Sequence, residues 1–570
     1  MYATERTYRE VGFTETAAEL RLRTPFGKKR AAAPRVFMPG EEASLEAEFD
    51  KLQKVCELLA SRADAAKRIA DIFDGIKDIS HSLTRCADNT LSSVELFEVK
   101  ALLLRTESFA GICGELGADL PAGFAPEDTG GLLDRLDPEG GRISAFYIYD
   151  LFSETLAALR RQKKEKETLL RAEQKRLADE IFAATGTALG PKFEAVIARS
   201  DAAALEAARN APQLRAAGED LSSVRFALAL GEEALALRGE ADALLPAIEE
   251  EEERVRKELT KAVAAEAERI LRNCGRIGAL DFFMARAAHA LRHDCVRPAI
   301  SRAHVLRAED GRHLPTERAL REKGRAYRPV SLELKDGVSC ITGANMGGKT
   351  VSMKLAGLVA AMAQHGFFVP CKSAVVGLSS SVGVLIGDGQ DANKGLSSFG
   401  SEMEALNAIL TGSGERALIL IDEIAGATNP AEGRALTKGL IAYLSRRPRI
   451  TLITTHFDHV ADIAGGAEVV NYRVRGLSGA DLGELATALK DASSDERIDA
   501  IAKLMDYRLV RVSGEHEIPK DALRIAEILG ISKEILDLAK RFMEEAPPER
   551  RRTEDRADLG CIAAMSRDGG

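Results

Sequence analysis

Residues 341–350 read Ile-Thr-Gly-Ala-Asn-Met-Gly-Gly-Lys-Thr, and Gly343, Gly348, Lys349 and Thr350 stand at the spacing of a phosphate-binding loop between a strand and a helix. A triphosphate needs several backbone N–H donors converging on one anion. Glycines such as Gly343, Gly347 and Gly348 let the backbone close that tightly. Lys349 then meets the β- and γ-phosphates as a point charge, and Thr350 offers its hydroxyl to Mg²⁺. A helix expected over 351–364 turns the positive end of its dipole to the phosphates.

A glycine-rich turn without a ligand is the competing reading of so short a motif, and two downstream stretches weigh against it. The apolar run 417–421 ends in Asp422-Glu423, as a buried parallel strand delivering two carboxylates to its C-terminal edge should. Asp422 would join the Mg²⁺ shell, and Glu423 would orient or deprotonate the attacking water. A second buried run, 450–455, ends in Thr454-Thr455-His456, which sets an imidazole where it could sense the γ-phosphate. The catalytic set read this way is Lys349, Glu423 and His456, with Thr350 and Asp422 on the metal.

The elements that must position these residues belong to a chain of 570 residues, long enough for several domains. Its net charge of −9 gives no global pull towards nucleic acid, although a local basic surface is compatible with it. Eight cysteines are scattered singly, as reduced thiols of a cytoplasmic protein would be, and Cys340 and Cys371 read as small core residues. Residues 1–10 are polar and no apolar run reaches membrane-spanning length, so a soluble protein without a signal peptide is expected. Abundant Ala, Leu, Glu and Arg, with 5% aromatics and no Trp, favour long helices.

Taken in order, 1–40 is a mixed N-terminal segment in which 20–29 looks like a helix end followed by a turn. A helical core is expected over 41–154, on the spacing of residues such as Phe49, Leu52, Val55 and Leu59; within it, 144–151 reads as either a strand or a helix entry. Residues 155–275 carry two long helices, 156–183 and 231–273, flanking a small subdomain or loop-bearing insertion at 185–230. The charged face beginning at Gln162 mixes both signs and reads as solvated rather than as a nucleic-acid contact. A return helix (277–291) and linker occupy 276–328. Apolar runs at 338–341, 367–369, 382–386, 417–421, 450–453 and 468–474 alternate with helices, which argues for an α/β domain over 329–476 with a largely parallel sheet. Leu477-Ser-Gly-Ala-Asp481 follows the carboxylate strand instead of preceding it, and so is not the signature loop of transport ATPases. Helices for dimerisation are expected over 477–546, with two short ones either side of Gly530, and a disordered tail over 547–570.

The block Thr342-Gly-Ala-Asn-Met-Gly-Gly-Lys-Thr350 resembles the P-loop, or Walker A motif, of the MutS family, in which Asn-Met before Gly-Gly-Lys is distinctive. Gly366-Phe-Phe-Val-Pro370, Ser397-Ser-Phe-Gly-Ser-Glu-Met403, Asp422-Glu-Ile-Ala-Gly-Ala-Thr428 and Thr454-Thr-His456 agree in order. The resemblance implies an all-α core with lever arms ahead of an ABC-like P-loop ATPase domain, ATP and Mg²⁺ as cofactors, and a homodimer in which Ser397 or Ser398 completes the partner's site. On the same ground Gly343, Ala344, Asn345, Met346, Gly347, Gly348, Lys349 and Thr350 would cradle the phosphates, with Asn345 bracing them. Tyr327 would either stack on adenine or simply pack.

Departures from the family pattern bear on function. No mismatch-reading domain is expected ahead of the helical core, and the tail is short for the nuclease-like domain usual in the second MutS family. The wording Asp422-Glu-Ile-Ala-Gly-Ala-Thr-Asn-Pro430 and Gly395-Leu-Ser-Ser-Phe-Gly400 is similar to MutS-related ATPases of the KamC type, associated with reactivating cobalamin-dependent lysine or ornithine aminomutases. An ATP-driven switch that remodels such a protein partner is therefore the first expectation. A DNA-binding MutS-like protein of mismatch repair or recombination, recognising DNA by structure, is the second; a scaffold without hydrolysis is disfavoured by the intact Lys349, Thr350, Asp422 and Glu423.

Overall fold

Charged and apolar side chains at helical spacing build the longest helices of the chain. The computed structural model describes residues 2–343, 348–386, 398–426, 428–457, 460, 469–477, 497, 500–501, 505–512 and 522–545. Their packing divides the chain into two compact units interleaved in sequence. One takes the described residues of Met1–Arg21, Pro34–Cys56 and Ala285–Gly570; the other takes Leu22–Ala33 and Glu57–Met284. Sequence reading divides the chain into consecutive segments, because composition carries no sign of such interleaving.

In the helical unit, Glu154–Thr185 begins where the Ser153 hydroxyl accepts from the Leu156 N–H and ends at Gly186, whose φ of 70° is the left-handed cap. Helix Glu232–Ala243 packs along it. The next helix, Leu245–Arg292, runs without interruption for 48 residues, so the expected break near residue 275 is absent. The break falls instead at Leu244, ahead of Pro246, which the first turn of a helix accepts because its missing N–H has no partner there anyway. Gly278 sits inside the long helix for a packing reason: a Cβ on it would lie 2.7 Å from the Phe26 carbonyl carbon.

The insertion is a small α/β body. Strands β1 (Glu194–Ala198), β2 (Leu214–Glu219) and β3 (Ser223–Leu228) form an antiparallel sheet in the order β1-β3-β2, with helix Ala202–Asn210 joined to its core. Val224, Phe226 and Leu228 alternate inward and pack with Leu177 and Ile181 of the preceding long helix. Two other readings are corrected here. The helix end and turn expected over 20–29 are instead an irregular lead into helix Pro25–Ala32, because the Thr24 hydroxyl caps Gly27 N–H and Asp281 holds the Thr24 N–H and hydroxyl at 2.8 Å. Residues 144–149 are irregular, neither strand nor helix, and lead into a single 3₁₀ turn at Asp150–Phe152.

The other unit holds two sheets. Strands β4 (Ala299–Ser301), β5 (Val305–Gly311), β6 (Val330–Lys335) and β8 (Ser373–Gly377) lie in the order β4-β8-β5-β6. The stretch read as a linker thus contains two strands and helix Leu314–Glu322. The strand expected at 367–369 is only a bridge from Val369 to Val296. The second sheet contains β7 (Gly337–Thr342), β9 (Ser381–Leu385), β10 (Ala417–Asp422), β11 (Ile450–Thr455), β12 (Val470–Leu477) and β13 (Met505–Val512), in the order β13-β12-β7-β11-β10-β9. Every pairing is parallel except β12 with β13, so the fold is α/β with a largely parallel sheet.

Strands β10 and β11 are buried along nearly their whole length, which is why they read as continuous apolar runs rather than alternating ones. Among the described residues no helix is long and apolar enough to cross a membrane. Cys340 and Cys371 are buried, and burial pushes both thiols up to about 12, as core residues rather than reactive ones. The expected tail at 547–570 lies outside the described residues.

Candidate functional site

Register brings the chemistry together. Asp422 at the end of β10 pairs with Thr454 of β11, and Thr454 and Thr455 pair with Ile341 and Thr342 at the end of β7. Three strand ends therefore open on one edge, as parallel neighbours with crossover helices must.

From β7 the chain reaches Gly343, with φ at 144°, and resumes at Gly348, with φ at 79°, which opens helix Lys349–Gln364. Only glycine takes such a backbone readily, and at Gly348 a Cβ would come within 2.9 Å of the Tyr507 ring. No side chain caps this helix, so its first N–H groups are offered by main chain alone. The helix is apolar nearly all round and almost entirely buried, which fixes the direction of its N-terminus.

Lys349 is 4% exposed, and its ammonium sits 2.7 Å from the Gly343 carbonyl oxygen and 3.0 Å from Glu423 Oε1. Thr350 donates its hydroxyl to Asp422 Oδ2 at 2.8 Å. Thr454 Oγ1 donates to the other oxygen of Asp422, and Glu423 N–H donates back to Thr454 O and Oγ1, each at 3.1 Å. Glu423 leaves the strand with φ at 47°, an uncommon conformation for a side-chain-bearing residue, and Ala425 follows at 59°. Glu402 supports this turn by accepting from Ala425 N–H, at 3.2 Å to Oε1; burial raises its pKa, and that hydrogen bond opposes the rise.

His456 stands one residue beyond β11, exposed, its ring 4.3 Å from that of Phe457. It lies beside Gly426, 3.7 Å from where a Cβ there would be. Tyr327 accepts from His313 N–H at 3.1 Å, and burial lifts its phenol to about 12, so it is a packed side chain whose hydroxyl already has a partner. Ala344, Asn345, Met346, Gly347 and Ser397 lie outside the described residues, and Ser398 is described only as the first residue of helix Ser398–Gly412.

The described residues fit a Mg²⁺–nucleotide. The Thr350 hydroxyl and Asp422 carboxylate form the paired oxygens a hard cation takes, and Lys349 with the helix N-terminus supplies the positive side for phosphate. Sequence reasoning passed over Thr454, Glu402 and Tyr507 as site residues. Thr454 and Glu402 stand inside motifs already singled out, while Tyr507 comes from β13 with no local signal.

Residues 339–504 match the family model described as MutS domain V. Among curated proteins, the chain is 34% identical to Endonuclease MutS2 of Shouchella clausii over 221 residues, 38% of this chain and 27% of that protein. It is 30% identical to Endonuclease MutS2 of Symbiobacterium thermophilum over 311 residues, 54% of this chain and 35% of that one. It is 32% identical to DNA mismatch repair protein MutS of Carboxydothermus hydrogenoformans over 210 residues, 36% of this chain and 25% of that one. The chain thus spans between a quarter and about a third of the length of these relatives. The strand ends that converge on Lys349 all fall inside the matched stretch, so this part of the chain is similar to MutS domain V.

Proposed function

We propose that this chain is a Mg²⁺-dependent ATP hydrolase of the MutS type that acts as a homodimeric conformational switch. The observation that carries the reading is the position of Lys349, whose ammonium bridges the Gly343 carbonyl and the Glu423 carboxylate at the end of the glycine loop. On binding ATP, the lysine would exchange Glu423 for the phosphates, freeing that carboxylate to orient or deprotonate water. Thr350 and Asp422 would hold Mg²⁺, which neutralises charge developing on the transferred phosphoryl group. Asn345 would brace the phosphates, His456 would sense the γ-phosphate, and Ser397 or Ser398 would complete the partner's pocket. The homodimer reading is supported by helix Lys533–Glu545, which leaves Ile535, Leu538 and Phe542 exposed while Leu536 is buried.

The switch would remodel a protein partner, with a cobalamin-dependent aminomutase as the class implied by the wording around Asp422. A second reading, DNA recognised by its structure, is favoured by the names of the relatives, one of them a mismatch repair protein. Glu423→Gln tests the hydrolase: ATP binding is retained and turnover lost, and unchanged turnover would refute the assigned role. ATP-dependent recovery of an inactivated aminomutase supports the first partner. Binding to mismatched or branched DNA that weakens steeply with salt supports the second.

A further inference from the structure

Away from the nucleotide edge, two histidines meet a carboxylate. His289 lies in the last turn of helix Leu245–Arg292, and His293 follows four residues on, so both imidazoles fall on one face. They turn to Glu19, which caps the C-terminal end of helix Phe13–Ala18. Glu19 Oε2 lies 2.8 Å from His293 Nε2 and 3.9 Å from His289 Nε2, and one ligand atom from each residue falls within 4.8 Å of the others. Among the described residues this is the one group of three or more His, Cys, Asp or Glu gathered closely enough to hold a metal ion.

An ordinary hydrogen bond accounts for His293 with Glu19 but leaves His289 unexplained. His289 is 1% exposed, yet its Nε2 has no hydrogen-bond partner among the described residues. A buried polar atom left without a partner is destabilising until one is supplied. Burial, reinforced by His293 and Arg292, pushes its pKa down to about 3, so the imidazole is neutral and ready to be a ligand.

We propose that Glu19, His289 and His293 bind one Zn²⁺-class divalent cation through Oε2 and the two Nε2 atoms. Bonds of about 2.0–2.2 Å in a tetrahedral shell set neighbouring ligand atoms roughly 3.3 Å apart. The two spacings to Glu19 Oε2, 2.8 and 3.9 Å, lie either side of that value, and the ligand atoms all lie within 4.8 Å of one another, so the three side chains would draw in around the ion. Two imidazoles with one carboxylate select Zn²⁺, Co²⁺ or Ni²⁺ over Mg²⁺ or Ca²⁺, which take oxygen shells. Arg318 donates to Glu19 Oε1 at 2.5 Å, which orients the carboxylate and leaves Oε2 to the ion. Arg292 works against a cation here, and Glu317 does not offset it, being already paired with Arg312 at 3.0 Å and Arg321 at 3.5 Å. A cleft of about 440 Å³ lined in part by Glu19, His293, Glu317, Arg318 and Arg321 opens beside the cluster. The ion would tie the N-terminal segment to the end of the long helix.

The test titrates Zn²⁺, by calorimetry, and Co²⁺, by its visible absorption, into the EDTA-stripped full chain without nucleotide. One ion per chain, an intense tetrahedral Co²⁺ spectrum and a raised melting temperature are expected. His289→Ala and Glu19→Gln should each weaken binding by more than about tenfold, since even an outer-shell partner is worth that much. No binding by the parent chain at one equivalent, or equal affinity in the variants, overturns the proposal. Should His289→Ala fail to fold, Glu19→Gln decides alone, with its fold checked by circular dichroism.

Discussion

Lys100 and Lys349 are both almost wholly buried, and each ends on a carboxylate and a main-chain carbonyl. Lys100 meets Asp137 Oδ1 at 2.9 Å, the Ala145 carbonyl at 2.8 Å and the Tyr149 hydroxyl at 3.4 Å, which uses all three of its donors. Asp137 is as buried as the lysine, at 1% exposure, and its second oxygen takes the Arg142 N–H. Lys349 differs in its partner: Glu423 is 36% exposed and stands on a backbone with positive φ. Burial alone does not distinguish a lysine that holds a fold from one that meets a ligand. What distinguishes them is whether the counter-charge can leave for water when another anion arrives.

The largest effect should come from breaking the sealed pair. Lys100→Met strands the Asp137 carboxylate in the interior, and about 3–5 kcal/mol of stability should be lost in chemical denaturation. Adding Asp137→Leu removes the stranded charge, so the double variant should recover most of it; a double variant no better than the single one would mean that the pair is not the origin of the loss. Lys349→Met comes next and acts elsewhere. ATP turnover should fall roughly 10²–10³-fold, the size seen when one donor to a developing charge is removed. Stability should change by only about 1 kcal/mol or less, because Glu423 is left with access to water. A stability loss equal to that of Lys100→Met would erase the distinction between the two sites.

How far each site could be read from the sequence follows the same division. The edge proposed to bind nucleotide was legible because glycines, a lysine and carboxylates follow buried strands in a set order, and β7, β10 and β11 begin and end within a residue or two of the apolar runs that announced them. Lys100 was not legible, since its partners lie 37, 45 and 49 residues away in sequence. The same holds for Glu19 with His289 and His293, joined only by tertiary packing. β4 and β5 were read as linker because β4 is three residues long and β5 lies amid charged residues, so neither forms an apolar run. The long helix was read as two, 231–273 and 277–291, whereas it runs unbroken, with Gly278 inside it facing Phe26.

The effect that is smallest for one residue over a small pH step separates the two units by acid. In the sheet-bearing unit, burial pulls His313 and His365 down to about 4, with His313 Nε2 3.1 Å from the Val11 carbonyl and His365 Nδ1 2.7 Å from that of Ala361. The one described histidine of the helical unit, His81, is exposed. A histidine held neutral in the fold binds a proton only after unfolding, so its contribution is complete above pH about 6.5 and is lost as pH falls towards 4. Each should add a slope of about 1.4 kcal/mol per pH unit over that window, with His289 joining them in metal-free protein. Asp137 works lower. Burial raises its pKa, but Lys100 and the Arg142 N–H more than offset this, so the net shift is downward and its stabilisation is lost only below the ordinary carboxylate range of about 3.9. Denaturation at pH 7, 6 and 5 should therefore weaken the sheet-bearing unit first, and His365→Gln should remove one histidine's share of the slope. Equal acid sensitivity of the two units, or an unchanged slope in His365→Gln, would show that the buried imidazoles do not set it.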